Sequence, residues 1–463
     1  MTEQLKLKLN DSKATRWGAL VIVAFTMMAA YYVNDVVAPL KTMLETDLAW
    51  SSTDFGFFTG GYSFLNVFFL MLIWGGLILD RFGIRFTGKL ATILMVGGTA
   101  LEYYAMTGLA GADATLFGIN EIFGYKTGVF VAFAGYSIFG VGAEVAGITV
   151  SKIIAKWFKG KELATAMGVQ VALARIGSQA GYAVAIPLAR AFGISTPVLL
   201  GLVLLLGGMV AFFIFAVMDK KLDRQMEVAA IAAGAEDEEE KFSFKDVKNI
   251  LVNPGFWLIA LLCVLFYSCV FPFQKFASEL MIIKYGINEN VAGTFAGLPA
   301  LGALILTPVF GGFIDKRGKS ASIMLLGSAM LICVHFIYAI PDINYWLVAI
   351  VLMIILGIAF SLVPSAMWPA VAKIFPVSQL GTAYALIFFI QNIGLWGIPT
   401  LIGWVLDAYC ISGKKPDGTN MYDYMVPMCI FTAIACLSLV VALLLKKADK
   451  KYGYKLEEPN IQK

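Results

Sequence analysis

The sequence predicts an all-α integral membrane protein whose twelve transmembrane helices form two pseudo-symmetric six-helix bundles. Three observations predict it. Of 463 residues, 59% are hydrophobic and 14% charged, with a mean hydropathy of +0.80, whereas roughly a quarter of the residues of a soluble domain are charged. Apolar runs of the ~20 residues that a spanning helix needs recur along the whole chain. A short charged motif also occurs twice, each time between two long apolar segments.

The apolar runs place spanning helices at 17–40, 53–79, 87–107, 127–154, 163–189, 195–218, 255–283, 290–314, 320–340, 345–372, 380–406 and 425–446. Many of the 45 glycines fall inside them, where small residues let helices approach closely.

The duplicated motif is GGLILDRFGIR, from Gly75 to Arg85, and GGFIDKRGK, from Gly311 to Lys319. Gly76, Asp80, Arg81 and Gly83 correspond to Gly311, Asp315, Lys316 and Gly318, each 235 residues further on. The aspartates are suited to capping a helix start or pairing with cations, and the glycines to a tight turn and close helix contact. A second set of matches, Ala155 to Phe158 with Ala372 to Phe375 and Ile176–Gly177 with Ile393–Gly394, has an offset of 217. The fall from 235 to 217 implies about 18 extra residues in the first half, which the long loop from Gly108 to Lys126 supplies.

Cations set the orientation, because Lys and Arg are retained on the cytoplasmic side. The N-terminal segment, the loops after the second, fourth, sixth, eighth and tenth spans, and the C-terminal tail hold 27 of the 35. Both termini are therefore expected to be cytoplasmic. The net charge of +4 reflects this topology, and a nucleic-acid partner is not implied. The stretch 219–250, with the acidic run from Glu236 to Glu240, reads as a cytoplasmic linker between an N-terminal bundle (1–218) and a C-terminal bundle and tail (251–463).

Six cysteines without ligand spacing argue against a disulfide framework or a metal site, and no cofactor or catalytic constellation is implied. The lone histidine, His335, lies in an apolar stretch and reads as a packed side chain rather than a proton relay. A signal-peptide layout is absent from the N-terminus, where polar residues run to about Arg16.

Charges deep inside spans carry more information, since each costs about 2.5 to 3.5 kcal/mol on insertion scales. Glu144 lies mid-span in the fourth helix and Arg175 in the fifth, and their counterparts in the second half are Ser361 and Asn392. Scaffold symmetry does not require them. A structural ion pair between neighbouring helices is the alternative, but such pairs are not reliably stabilising. Opposite charges beside one cavity suit a zwitterion: a carboxylate accepts an ammonium group and a guanidinium grips a carboxylate bidentately. Glu144 is equally suited to carrying a coupling proton, with Arg175 binding an organic anion.

Asp35, with Tyr31, Tyr32 and Asn34, reads as cavity lining, an external gate or a helix contact. Tyr62, Ser63 and Asn66, Trp368, and Gln391 and Asn392 add neutral hydrogen-bonding groups. Lys275 and Glu279 stand four apart on the seventh span and read as a same-face structural or gate pair; Pro272 is placed to bend that helix.

Two halves with parallel homology and a doubled GxxxD[RK]xG loop resemble the major facilitator superfamily, which implies its fold and a small-molecule carrier that works as a monomer without covalent chemistry. The resemblance further implies that Asp80, Arg81, Arg85, Asp315, Lys316 and Lys319 latch the halves on the cytoplasmic face in the outward-facing state. DRFGIR at Asp80 to Arg85, WFKGKEL at Trp157 to Leu163, ARIGS at Ala174 to Ser178, VFPF at Val270 to Phe273, and QLGTAY with IQNIGL, from Gln379 to Leu395, are similar to the lysosomal dipeptide uniporter branch. That branch implies a dipeptide whose termini meet Glu144 and Arg175, with Trp368 in a matching MWP segment. An acidic dileucine signal is lacking where LKLKLN stands, so the expected location is a bacterial inner membrane. Proton-coupled transport of organic anions or sugars is the alternative.

Overall fold

The computed structural model describes residues 8–111, 114–158, 161–233 and 244–459. Lys6, Lys159 and the acidic run from Glu236 to Glu240 lie outside the described residues.

The first half comprises α1 (Lys13–Val36), a short α2 (Lys41–Asp47), α3 (Ser52–Phe68), α4 (Met71–Thr107), α5 (Thr127–Phe158), α6 (Leu163–Phe192) and α7 (Thr196–Ala233). After α8 (Phe244–Val252) the second comprises α9 (Pro254–Tyr285), α10 (Glu289–Ala296), α11 (Leu298–Arg317), α12 (Ser320–Ala339), α13 (Trp346–Ile374), α14 (Val377–Tyr409) and α15 (Met425–Tyr452).

Among the described residues nine helical stretches are long and apolar enough to cross a membrane, and the pair α3 with α4, bent by 58°, adds a tenth. Two more come from features that composition hides. Gly83, at φ 76° and ψ 174°, breaks α4 into two legs, and α6 contains Gln170, Arg175, Gln179 and Arg190, which lower its hydropathy. Together these are the twelve expected spans.

Local chemistry explains the breaks. Leu70 takes a left-handed conformation (φ 54°, ψ 33°) between α3 and α4. A capping box at α3, with Ser51 accepting from the Asp54 amide and Asp54 from the Ser51 amide, satisfies two orphan donors. Gly318, the counterpart of Gly83, ends α11 at φ 71°. The second glycine of each motif copy thus occupies a conformation that L side chains avoid.

The first glycines behave otherwise. A Cβ on Gly76 or Gly311 would meet nothing within 4 Å, so the expected close helix contact is absent at both. The motif lies at the basic end of the bundle, beside Lys152 and Lys446, where the two halves stand apart. At the opposite end they touch. A Cβ on Gly56 of α3 would stand 2.4 Å from the Pro399 carbonyl oxygen of α14, and one on Gly293 of α10 would stand 2.3 Å from the Tyr182 carbonyl oxygen of α6. Only glycine permits those approaches.

The extended loop of the first half is a small hairpin, β1 (Glu121–Ile122) with β2 (Tyr125–Lys126), and a second, β3 (Ile411–Lys414) with β4 (Asn420–Tyr422), joins α14 to α15. The linker differs from expectation at its start. Asp219 is inside α7, fully buried, accepting from Lys156 at 2.7 Å and from the Trp157 indole at 2.9 Å. Those bonds anchor the helix through a segment whose charge suggested a loop.

Candidate functional site

A cavity of about 600 Å³ runs between the halves. Glu144 (α5), Arg175 (α6), Tyr31 and Asn34 (α1) and Tyr62 (α3) line one wall; Tyr267 and Lys275 (α9), Trp368 (α13) and Gln391 and Asn392 (α14) line the other. The lining extends to Ile148 and Ser151, and Ser151 stands seven residues, about 10 Å of helix, beyond Glu144 toward the basic end. Ser151 is exposed, whereas Tyr136, eight residues from Glu144 in the other direction, is buried, so the cavity is open on the basic side.

Glu144 and Arg175 do not pair. The Glu144 carboxylate accepts from the Tyr62 hydroxyl at 3.0 Å. The Arg175 guanidinium lies 5.6 Å from the Tyr31 ring centroid and 4.9 Å from that of Phe360, which belongs to the other half. Among the described residues no carboxylate lies within ion-pair distance of Arg175. The alternative of a structural ion pair is thus not the arrangement here, and both charges face the same cavity. Trp368 stacks on Phe388 with ring centroids 4.8 Å apart, giving a flat apolar surface opposite the charges.

Other expected residues lie elsewhere. Tyr32 is turned from the cavity, its hydroxyl donating to the Pro197 carbonyl at 3.2 Å, because one residue of helix rotates a side chain by about 100° from Tyr31. Ser63 and Asn66 are buried in α3 outside the cavity lining. His335 packs between Phe273 and Phe431, with Nε2 3.0 Å from the Cys269 carbonyl oxygen.

Lys275 and Glu279 do not form the expected pair. Each reaches across to the first half instead. Lys275 Nζ donates to the Asn34 carbonyl at 2.6 Å and lies 3.2 Å from the Asp35 carboxylate, which also accepts from Ser178. Glu279 binds Lys41 of α2 at 2.5 Å and accepts from the Tyr424 hydroxyl. Lys41 also binds Glu45, and Lys415 of the β3–β4 hairpin lies 3.5 Å from Glu45 and 3.6 Å from Glu279. Arg190 of α6 and Glu289 of α10 add a further link between the halves. Opposite charges from the facing half, buried in low dielectric, outcompete a neighbour on the same helix.

At the basic end the first motif loop binds within its own half. Asp80 pairs with Lys152 at 2.9 Å, Arg85 with Asp223 at 3.2 Å, and Arg81 lies over Phe82. Lys319 donates its amide to the Glu457 carbonyl, so the C-terminal segment covers the second loop, while Lys316 is exposed. Hydrogen bonds from Lys161 and Arg16 hold the carboxyls of Asp11 and Glu162 below their usual range. The molecule is thus closed by ion pairs at one end and open at the other.

Sequence reasoning missed Lys41, Glu45, Lys415 and Tyr424. A signal was present: Lys41 and Lys415 are among the eight cations away from the basic end.

The Major Facilitator Superfamily family model matches residues 20–399 and again 278–455. The lysosomal dipeptide transporter MFSD1 of Homo sapiens is 28% identical over 454 residues, spanning 95% of this chain and 88% of its own length. That of Gallus gallus is 32% identical over 324 residues, 67% of each chain. Among solved structures, the nucleoside transporter NupG superposes with a TM-score of 0.66 at 12% identity, over 92% of this chain and 98% of its own. A mutant peptide transporter POT in complex with sulfate gives 0.66 at 15%, over 95% and 94%. Identities this low speak for the fold.

Proposed function

We propose, for a chain that belongs to the Major Facilitator Superfamily, that this multi-pass membrane transporter carries small zwitterions, dipeptides foremost, by alternating access. One observation carries the reading: Glu144 and Arg175 line one cavity and are not paired with each other. A dipeptide supplies the missing partners, its ammonium for Glu144 and its carboxylate for the Arg175 fork, while Trp368 and Tyr267 pack against its side chains. The dipeptide activity of the MFSD1 relatives supports the same choice.

The basic end is the cytoplasmic one on this reading, with both termini there, so the state described faces inward. Outward opening requires the Asp35–Lys275, Lys41–Glu279 and Arg190–Glu289 contacts to part and the two motif loops to meet. Asp80, Arg81, Arg85, Asp315, Lys316 and Lys319 then exchange partners within their halves for partners across them. We place the protein in a bacterial inner membrane, acting as a monomer.

Uptake of labelled dipeptide into proteoliposomes tests the assignment. Arg175→Ala and Glu144→Gln are each expected to reduce uptake at least 100-fold, on the order of the 3 kcal/mol or more attached to leaving a buried ligand charge unpaired, with the protein still folded. Unimpaired uptake by both variants would refute it.

A further inference from the structure

Glu102, in α4, is used by none of the contacts above. It is fully buried, and neither carboxylate oxygen has a hydrogen-bond partner. Every other buried acid among the described residues has at least one oxygen in a hydrogen bond or ion pair: Asp35 with Ser178 and Lys275, Glu45 and Glu279 with Lys41, Asp219 with Lys156 and Asp449 with the Leu456 amide.

Its surroundings are tightly packed on one flank and polar on the other. α4 meets α5 there so closely that a Cβ on Gly135 would stand 2.9 Å from the Glu102 amide nitrogen. The next residue, Tyr136, donates its hydroxyl to the Asn34 carbonyl at 2.8 Å and has Lys275 Nζ at 3.4 Å. Beyond Tyr136 stands Asp35 of α1. α7, on another face of α4, has no ionisable residue from 196 to 218. Asp54 of α3 is committed to its own helix cap, Tyr62 to Glu144 and Asp407 of α14 to the amides that start α3.

An ionised carboxylate left unpaired there would be strongly unfavourable, a carboxylic acid far less so, and an apolar residue would pack without either cost. We propose that Glu102 is a proton-binding site of the transport cycle, in contact with whichever side of the membrane is open through the hydroxyl of Tyr136. Tyr136 lines the cavity in the present state and borders the Asp35–Lys275 contact that parts in the other, so one side chain serves both exits. The proposal rests on the transporter reading above and makes net flux proton-linked.

The test uses proteoliposomes with a trapped pH dye, given a dipeptide gradient and no imposed pH gradient. For the unmodified protein, dipeptide entry is accompanied by a change in internal pH. In Glu102→Gln, whose amide keeps the shape and neutrality of the acid, dipeptide counterflow continues and the internal pH change is lost; Glu102→Met reads the same way should the amide variant not fold. Dipeptide entry without proton movement in the unmodified protein, or an undiminished pH change in the folded variant, overturns the proposal. Thermal stabilisation by dipeptide separates the two readings. Its absence from the unmodified protein defeats the transport assignment, whereas its presence alongside proton-silent flux defeats the role of Glu102 alone.

Discussion

Gly83 and Gly318 show what a single residue type contributes here. At φ 76° with ψ 174°, Gly83 lies in a region open essentially to glycine. Gly83→Ala is expected to cost about 1–3 kcal/mol, read as a lower Tm in detergent. Gly76→Ala, in mid-helix with open space around it, should be neutral or stabilising in the same assay. If that variant transports poorly despite its Tm, the glycine serves the closed form of this end. Glu144 and Arg175, the charges that stand alone in apolar runs, both line the cavity, so an isolated charge was legible at the scale of the residue. Rotation was not legible there: Tyr31 lines the cavity and Tyr32 does not. Glu102 was equally visible as a letter, but its lack of a partner is a property of the helices packed around it.

At the scale of elements, the cations away from the basic end form a pattern. Of those eight, Lys41, Arg190, Lys275 and Lys415 link the two halves and Arg175 lines the cavity. Lys126 and Lys284 donate to main-chain carbonyls and Lys414 to Asn420. A cation that disobeys the sidedness rule is retained for a specific partner, and that partner lies in another part of the sequence, which is why Lys41 and Glu279 were not joined beforehand. Lys41→Met leaves Glu279 short of its main partner inside the closed end. Breaking such a pair costs about 3–5 kcal/mol, and the loss falls on the closed form alone. The population is expected to shift outward, seen as a longer distance between spin labels at Ala191→Cys and Asp342→Cys, both exposed. An unchanged distance distribution would remove the pair from the gate.

For the molecule as a whole, duplication and its failure divide the work. The repeated loops and the paired bundles were legible because period, charge sidedness and apolar run length are properties of the chain itself. The state of the molecule was not, since it depends on which contacts between halves are made: tight glycine contacts and ion pairs at one end, separated loops at the other. The proposed function puts substrate recognition where the halves differ, at Glu144 against Ser361 and Arg175 against Asn392. The most direct test of that assignment is calorimetric binding of one dipeptide in three forms, with free termini, with the amine acetylated and with the carboxylate amidated. Binding of the free form, weakened at least tenfold by either block, is the result expected of a site that holds both termini, a tenfold loss being about 1.4 kcal/mol. Equal affinity for all three forms, or binding of a sugar or organic acid in place of any dipeptide, would contradict it.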